Sequence, residues 1–259
     1  MPVVCLHSSA ASGKQWRRLV AEGGDAWAWH TPDFYGHGDR PAWPELMPSH
    51  LAVEAHGVLA GLPFATDRPF HLVGHSYGGA VALQVALQQP QRVLSLTLYE
   101  PVAFGVLSSD DANDEPALTE IHDVAARVNQ ALDQGDLAAA ARGFCGYWQG
   151  RDNWAELGGG QQSRLAEAMP TVRRHFDALF TAPWSDRDLA TLRMPVRLLC
   201  GSETRLSAQR VARTLAERLP QAQLTWLEGA GHLAPLSEVK RVNALLMNAL
   251  GQVAATMSA

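Results

Sequence analysis

Residues 70–79 read FHLVGHSYGG. The first four residues form a short apolar run of the kind found in strands. The glycines at positions 74, 78 and 79 mark a turn, and a helical stretch follows and stops at Pro90. A Gly-x-Ser-x-Gly match is weak evidence alone. Here, however, the motif lies between a strand and a helix, and a strained turn at such a place holds a serine above the sheet. We therefore interpret Ser76 as a nucleophile, with the positive end of the helix dipole behind it.

Short apolar runs of the same kind recur along the chain, and turn signals and helical stretches follow most of them. They cover residues 3–6, 26–31, 93–99, 196–200 and 223–227. Alternating strands and helices predict parallel strands joined by right-handed crossovers, which is an α/β sandwich. Ligands of such folds bind beyond the carboxyl ends of the strands, so the residues that directly follow each strand are the candidate site.

One connection is too long for a single crossover helix, because 94 residues separate Glu100 from Pro195. This stretch is rich in alanine and has helical periodicity, and three glycines at positions 158–160 suggest a break in it. It also carries seven aromatic residues: Phe144, Tyr147, Trp148, Trp154, Phe176, Phe180 and Trp184. We interpret residues 102–190 as a helical cap inserted over the strand ends of a single domain, 1–259. The simpler role for its aromatics is to pack the cap onto the sheet.

A serine hydroxyl needs a base to accept its proton. His232 is the candidate, because it follows the last strand in the glycine loop Gly229–His232 and precedes the final helix. Imidazole suits this role because it accepts and returns protons near neutral pH. His7, His37 and His75 also lie near strand ends, where structural hydrogen bonding is the simpler interpretation.

Taken together, these segments resemble the α/β-hydrolase superfamily over essentially the whole chain. The matching segments are Leu6–Ser9, Asp33–Gly38, Gly74–Gly79, the long insertion and Gly229–His232. The resemblance implies a three-layer sandwich with a mostly parallel sheet of about six strands and a cap inserted after the fourth strand. It also implies that the first two of the family's usual eight strands are absent.

The same resemblance implies an oxyanion hole made of two backbone N–H groups. One belongs to the residue after the nucleophile, which here is Tyr77, and the other to the loop after the first strand. Ser9 corresponds to the donor in that loop. Ser8 stands where the family usually has glycine.

Two glutamates are candidates for the acid that should orient His232. Thr204 occupies the commonest family position for an aspartate, and a threonine carries no negative charge. Glu203 is one residue early, and Glu100 ends the fourth strand, where some family members place their acid. We favour Glu100, because a carboxylate after a buried apolar run needs a partner, whereas a surface ion pair would explain Glu203. Glu203 stays an alternative, as does the absence of any triad acid.

A serine nucleophile excludes the relatives that open epoxides or remove halides with a carboxylate nucleophile. Acyl transfer to water remains, and the aromatic insertion favours small to medium apolar carboxylic esters. Carbon–carbon bond hydrolysis, lactone hydrolysis and thioester hydrolysis would use the same residues. A ligand-binding member of the fold with little turnover is the alternative outside enzymes.

Composition excludes several classes of protein. The chain has 21 basic and 26 acidic residues and a net charge of −5, so it lacks the basic surface of a nucleic-acid binder. It shows no signal peptide and no membrane-spanning run. Its three cysteines are far apart in the sequence and fit no metal spacing, so we expect reduced core thiols in a cytoplasmic protein. We expect no cofactor and no metal, and a small ester-like molecule as the partner. The sequence does not indicate the oligomeric state.

Overall fold

The computed structural model describes residues 1–182 and 184–257. Their strands form one sheet of six in the order β2-β1-β3-β4-β5-β6, and every neighbouring pair is parallel. The strands are β1 (Pro2–Leu6), β2 (Ala28–His30), β3 (Phe70–His75), β4 (Val93–Tyr99), β5 (Val196–Gly201) and β6 (Ala222–Leu227). The predicted six-stranded α/β sandwich is confirmed.

Helices cover both faces of this sheet. They are α1 (Arg17–Gly23), α2 (Leu51–Ala60), α3 (Tyr77–Gln88), α4 (Glu115–Asp133), α5 (Leu137–Gln149), α6 (Gly159–Phe180), α7 (Asp186–Leu189), α8 (Leu206–Arg218), α9 (Ala234–Ser237) and α10 (Val239–Met257). Helices α2, α3 and α8 contribute to one apolar core, and α1 and α10 contribute to a second.

The burial of the strands follows their order in the sheet. Strands β1 and β3 each lie between two other strands and are buried at every position, which is why they read as mostly apolar runs. Strand β6 lies at one edge and alternates between half-buried and exposed residues over most of its length. Because all strands run in the same direction, the residues that follow β1, β3, β4, β5 and β6 meet at one edge of the sheet.

The long connection between β4 and β5 contains α4, α5, α6 and α7. Polar contacts tie it to helix α8 of the sheet layer. An ion pair joins Asp114 to Arg210, the Ser207 N–H donates to Glu120 Oε2 over 2.9 Å, and the Tyr147 and Ser207 hydroxyls lie 2.7 Å apart. Two of the three glycines expected to break this segment, at positions 159 and 160, instead form the first turn of α6.

Candidate active site

Ser76 lies in the turn between β3 and α3, with the backbone angles φ 56° and ψ −120°. A non-glycine residue rarely adopts a positive φ, and the tight packing around the turn imposes it here. A Cβ at Gly74 would lie 2.5 Å from the Gly78 carbonyl oxygen, and one at Gly78 would lie 2.4 Å from that of Leu6. Both positions therefore require glycine, and the turn that they permit places Ser76 directly before the N-terminus of α3.

Ser76, His232 and Glu100 form a chain of hydrogen bonds. His232 Nε2 lies 2.9 Å from Ser76 Oγ, and His232 Nδ1 lies 2.7 Å from Glu100 Oε2. All three side chains are buried. A His232 ring with its proton on Nδ1 donates to Glu100 and accepts from the Ser76 hydroxyl, so the geometry allows the proton of Ser76 to pass to Nε2.

Glu100 is fully buried and accepts two further hydrogen bonds. The Gly201 N–H donates to Oε1 over 2.8 Å, and the Thr204 hydroxyl donates to Oε2 over 2.6 Å. These bonds and the His232 N–H stabilise a carboxylate that water does not reach. The Glu203 side chain is exposed at the surface. The structure therefore brings Glu100, and not Glu203, to His232.

The loop that carries His232 is held in place from several directions. The Tyr99 hydroxyl donates to the Gly231 carbonyl over 2.8 Å, and His75 Nε2 donates to the His232 carbonyl over 2.9 Å. Burial lowers the pKa of His75 well below its usual value, so this ring is neutral. Trp148 of α5 stacks on the His232 ring, with centroids 3.8 Å apart. The position of the imidazole is thus set by the sheet and by the inserted helices together.

Tyr77 and Ser9 flank Ser76. Tyr77 is the first residue of α3, so its N–H has no partner within the helix. The loop of Ser9 is held by hydrogen bonds on both sides of it: the Ser8 N–H donates to Gln15 Oε1 over 3.1 Å, and the Ala10 N–H donates to His37 Nε2 over 3.0 Å.

The space above Ser76 is lined mostly by apolar side chains and has an outer and an inner part. The outer chamber has a volume of about 140 Å³ and includes Phe144, Trp148 and His232 in its walls. The inner recess has about 10 Å³, close to the room that one water molecule needs, and includes Phe104 and Phe176. Neither wall contains an Asp, Glu, Lys or Arg side chain among the described residues.

A wider cleft of about 610 Å³ adjoins the outer chamber, and the two share Ala10 and Leu165. Lys14 and Arg164 line this cleft, so its polar character contrasts with the interior.

Two residues of the site were not singled out for it from the sequence. Trp148 was named only among the aromatics of the insertion, and His175 of α6, which reaches the Ser9 hydroxyl, was not named at all. Both lie in amphipathic helices, where a buried aromatic or histidine looks like an ordinary core residue. No signal in the sequence separates them from their neighbours.

Within residues 1–182 and 184–257, no group of three or more His, Cys, Asp or Glu side chains is arranged to hold a metal ion. No helix in that part of the chain has the length and apolar character needed to cross a membrane.

A protein-family model and two relatives of known name are similar to nearly the whole chain. The family model described as "Alpha/beta hydrolase family" matches residues 3–245. A pimeloyl-[acyl-carrier protein] methyl ester esterase from Neisseria meningitidis serogroup B is 28% identical over 94% of this chain and 90% of its own length. A 2-hydroxymuconate semialdehyde hydrolase from Pseudomonas putida is 29% identical over 94% of this chain and 80% of its own.

Solved structures agree on the fold. A thermophilic esterase from Thermogutta terrifontis superposes with a TM-score of 0.73 and 23% identity, over 98% of this chain and 90% of that one. At this level of identity the likeness shows a shared architecture and leaves the substrate open.

Proposed function

The chain belongs to the α/β hydrolase family, and we propose that it is a serine hydrolase that cleaves small to medium apolar carboxylic esters through an acyl-enzyme. The observation that carries the proposal is the hydrogen-bonded chain from Ser76 through His232 to Glu100 at the floor of an uncharged chamber. A nucleophile, a base and an acid in this order are what acyl transfer requires.

In the first half of the reaction, Ser76 Oγ attacks the ester carbonyl carbon while His232 Nε2 takes the hydroxyl proton. The carbonyl electron pair moves to oxygen, and the N–H groups of Ser9 and Tyr77 stabilise the resulting oxyanion. When the tetrahedral intermediate collapses, the bond to the alcohol oxygen breaks and His232 returns the proton to that oxygen. The alcohol leaves, and the acyl group stays on Ser76.

In the second half, His232 removes a proton from water, and the hydroxyl attacks the acyl carbon. Collapse of the second intermediate returns the proton to Ser76 Oγ and releases the carboxylic acid. Glu100 keeps the Nδ1 proton of His232 in place and stabilises the imidazolium that forms in each half.

The walls of the chamber support an apolar substrate. A charged acyl group would lie among side chains such as Phe144 and Phe176 without an opposite charge, which is costly. The small free volume favours short chains. The Neisseria relative is named for ester hydrolysis, which is consistent with this choice.

The test uses p-nitrophenyl acetate and p-nitrophenyl butyrate with the wild-type protein and the Ser76→Ala variant. We expect turnover by the wild type that the variant lacks, together with stoichiometric labelling of Ser76 by a fluorophosphonate probe. Labelling without ester turnover would move the proposal to another acyl substrate. If neither turnover nor labelling occurs, the protein is a ligand-binding member of the family.

Carbon–carbon bond hydrolysis is the second candidate, because the relative from Pseudomonas putida is named as the hydrolase of a semialdehyde, a compound whose name indicates no ester bond. A lactone or thioester would also fit the proposed residues. Comparing kcat/KM for a ring-fission diketone, a lactone, a thioester and a matched ester separates these activities, and we expect the ester to have the highest value.

A further inference from the structure

His175 lies in the last third of helix α6, and only 1% of the residue is exposed. Its ring is the point at which the inserted helices reach the loop after β1. His175 Nδ1 lies 2.8 Å from Ser9 Oγ. The two residues are 166 positions apart in the sequence, so this bond exists only when α6 is packed in place.

The same ring also covers Tyr77. The two rings are stacked, with centroids 3.6 Å apart and an interplanar angle of 7°. His175 thus touches both Ser9 and Tyr77, whose backbone N–H groups form the proposed oxyanion hole. It contacts Ser9 through a hydrogen bond and Tyr77 through the face of the ring.

A third contact extends this arrangement to Ala10. His175 is also stacked on His37, with centroids 5.1 Å apart, and His37 Nε2 accepts the Ala10 N–H. Ala10 has a φ of 56°, a strained value for alanine that persists only where neighbouring contacts impose it. The stack of His37, His175 and Tyr77 therefore holds the loop of Ser9 in a conformation that it would not adopt on its own.

We propose that His175 is a positioning residue that aligns the amides of Ser9 and Tyr77, so that the oxyanion hole is complete only when helix α6 is seated on the sheet layer. The inference rests on the proposed serine hydrolase function. It adds that the inserted helices contribute to the chemical step itself as well as to the walls of the chamber.

The ring is suited to this role as a neutral group. Burial, together with the nearby His37 and His7, lowers the pKa of His175 well below its usual value. Asp33 lies on the far side of His7, with 3.9 Å between its Oδ1 and His7 Nε2. A neutral ring adds no positive charge beside Ser9 and Tyr77, so the role proposed for His175 is alignment.

The first experiment compares His175→Phe and Ser9→Ala with the wild type on p-nitrophenyl butyrate. His175→Phe keeps the stacked ring and loses the hydrogen bond, and Ser9→Ala loses the same bond from the other side while keeping the backbone N–H. We expect each variant to lower kcat about tenfold with KM nearly unchanged, because the alignment matters only when the oxyanion forms. His122→Phe is the matched control, since His122 is an exposed histidine of α4 that stacks on Phe180 away from Ser9.

The second measurement separates alignment from folding. Butylboronic acid forms a tetrahedral adduct with the serine and engages the oxyanion hole, whereas butyramide binds as a ground-state analogue. We expect the inhibition constant of the boronic acid to rise about tenfold in His175→Phe and that of butyramide to stay the same.

The double variant Ser9→Ala/His175→Phe should be no slower than either single variant, because each substitution removes the same hydrogen bond between Ser9 Oγ and His175 Nδ1. The proposal is overturned if the effects of the two single variants on kcat multiply in the double variant. It is also overturned if only KM changes, or if the affinities for the boronic acid and for butyramide fall equally. A His175→Phe protein with wild-type kcat overturns this inference alone. A wild type with neither turnover nor fluorophosphonate labelling overturns the proposed function and this inference together.

Discussion

The two sides of the site around Ser76 are built in different ways. The acid side consists of Glu100, Gly201 and Thr204. Glu100 directly follows β4, Gly201 is the last residue of β5, and Thr204 lies in the loop after β5. The oxyanion side consists of the two residues of the proposed oxyanion hole, Ser9 and Tyr77, together with the rings that hold them, His37 and His175. One side has a buried carboxylate, whereas the other has neutral groups.

The two sides therefore depend on different parts of the molecule. Adjacent strands of the sheet bring the acid side together, and a backbone N–H and a hydroxyl near their ends satisfy its charge. The oxyanion side joins four separate segments of chain, and one of them is helix α6 of the insertion. We therefore expect the loss of the Glu100 charge to reduce the rate most, and the loss of a single hydrogen bond on either side to weaken it.

The largest effect should come from Glu100→Gln. The amide removes the charge that stabilises the His232 imidazolium, and we expect kcat to fall by about 10³ to 10⁴-fold. Steady-state assays with p-nitrophenyl butyrate measure it. Glu203→Gln is the matched control, because its exposed side chain should leave the rate near wild type. The reverse ranking would show that the acid side has been assigned to the wrong glutamate.

The next prediction concerns the buried histidines of the oxyanion side and His7, whose ring centroid lies 5.4 Å from that of His37. Burial lowers the pKa of His7 to about 3, whereas the unfolded chain has a histidine pKa near 6.5. The stability that His7 contributes is therefore complete above pH 6.5 and is lost as the pH falls from 6.5 toward 3. At pH 5 this loss is about 2 kcal/mol. His37 and His175, whose pKa values are also lowered, add to it in the same direction.

Glu54 opposes this trend, because burial raises its pKa to about 7 and its contribution is lost as the pH rises from 4.5 to 7. Because the histidines whose pKa is lowered outnumber this one glutamate, we expect the free energy of unfolding in urea to be smaller at pH 5 than at pH 7.5. His7→Asn should reduce that difference. Equal stability at the two pH values would contradict the neutral character of the oxyanion side.

A smaller effect is expected from Thr204→Val, which removes one hydrogen bond to Glu100 Oε2 and leaves the bonds from Gly201 and His232. We expect kcat to fall about tenfold, in line with the loss of a hydrogen bond to a charged group. Thr204→Ser should restore the rate. If Thr204→Val were as slow as Glu100→Gln, the carboxylate would depend on this one hydroxyl and not on the strand ends.

The smallest effect should come from Phe176→Ala, which enlarges the inner recess without touching either side. We expect the ratio of kcat/KM for p-nitrophenyl octanoate to that for the butyrate to rise a few-fold, because the recess then admits a longer chain. Leu137→Ala, on an exposed residue of the same insertion, is the control. A fall in kcat with both esters would instead indicate that α6 had shifted and that the oxyanion side had been disturbed.

Much of the fold was predictable because each element has a local signal. The apolar runs and the glycines around Ser76 indicate the strands and the turn, and the order of strands and helices predicts a parallel sheet. Ser76 and His232 could be named from their positions after strands. Glu100 could only be ranked above Glu203, and the roles of all three stay predictions. His175 and Trp148 could not be found, since a buried ring in an amphipathic helix has the same pattern whether or not it reaches the site.

The amino-acid sequence alone was enough for the α/β alternation, for the strained turn at Ser76 and for the length of the insertion, because these follow from periodicity and turn chemistry within a few residues. The partner of His232, and the ring that holds Ser9 and Tyr77, were settled by the tertiary structure alone. The bonds from His232 to Glu100 and from Ser9 to His175 span 132 and 166 positions. Contacts over such separations depend on how the strands order themselves in the sheet and how α6 packs, and no local pattern records either.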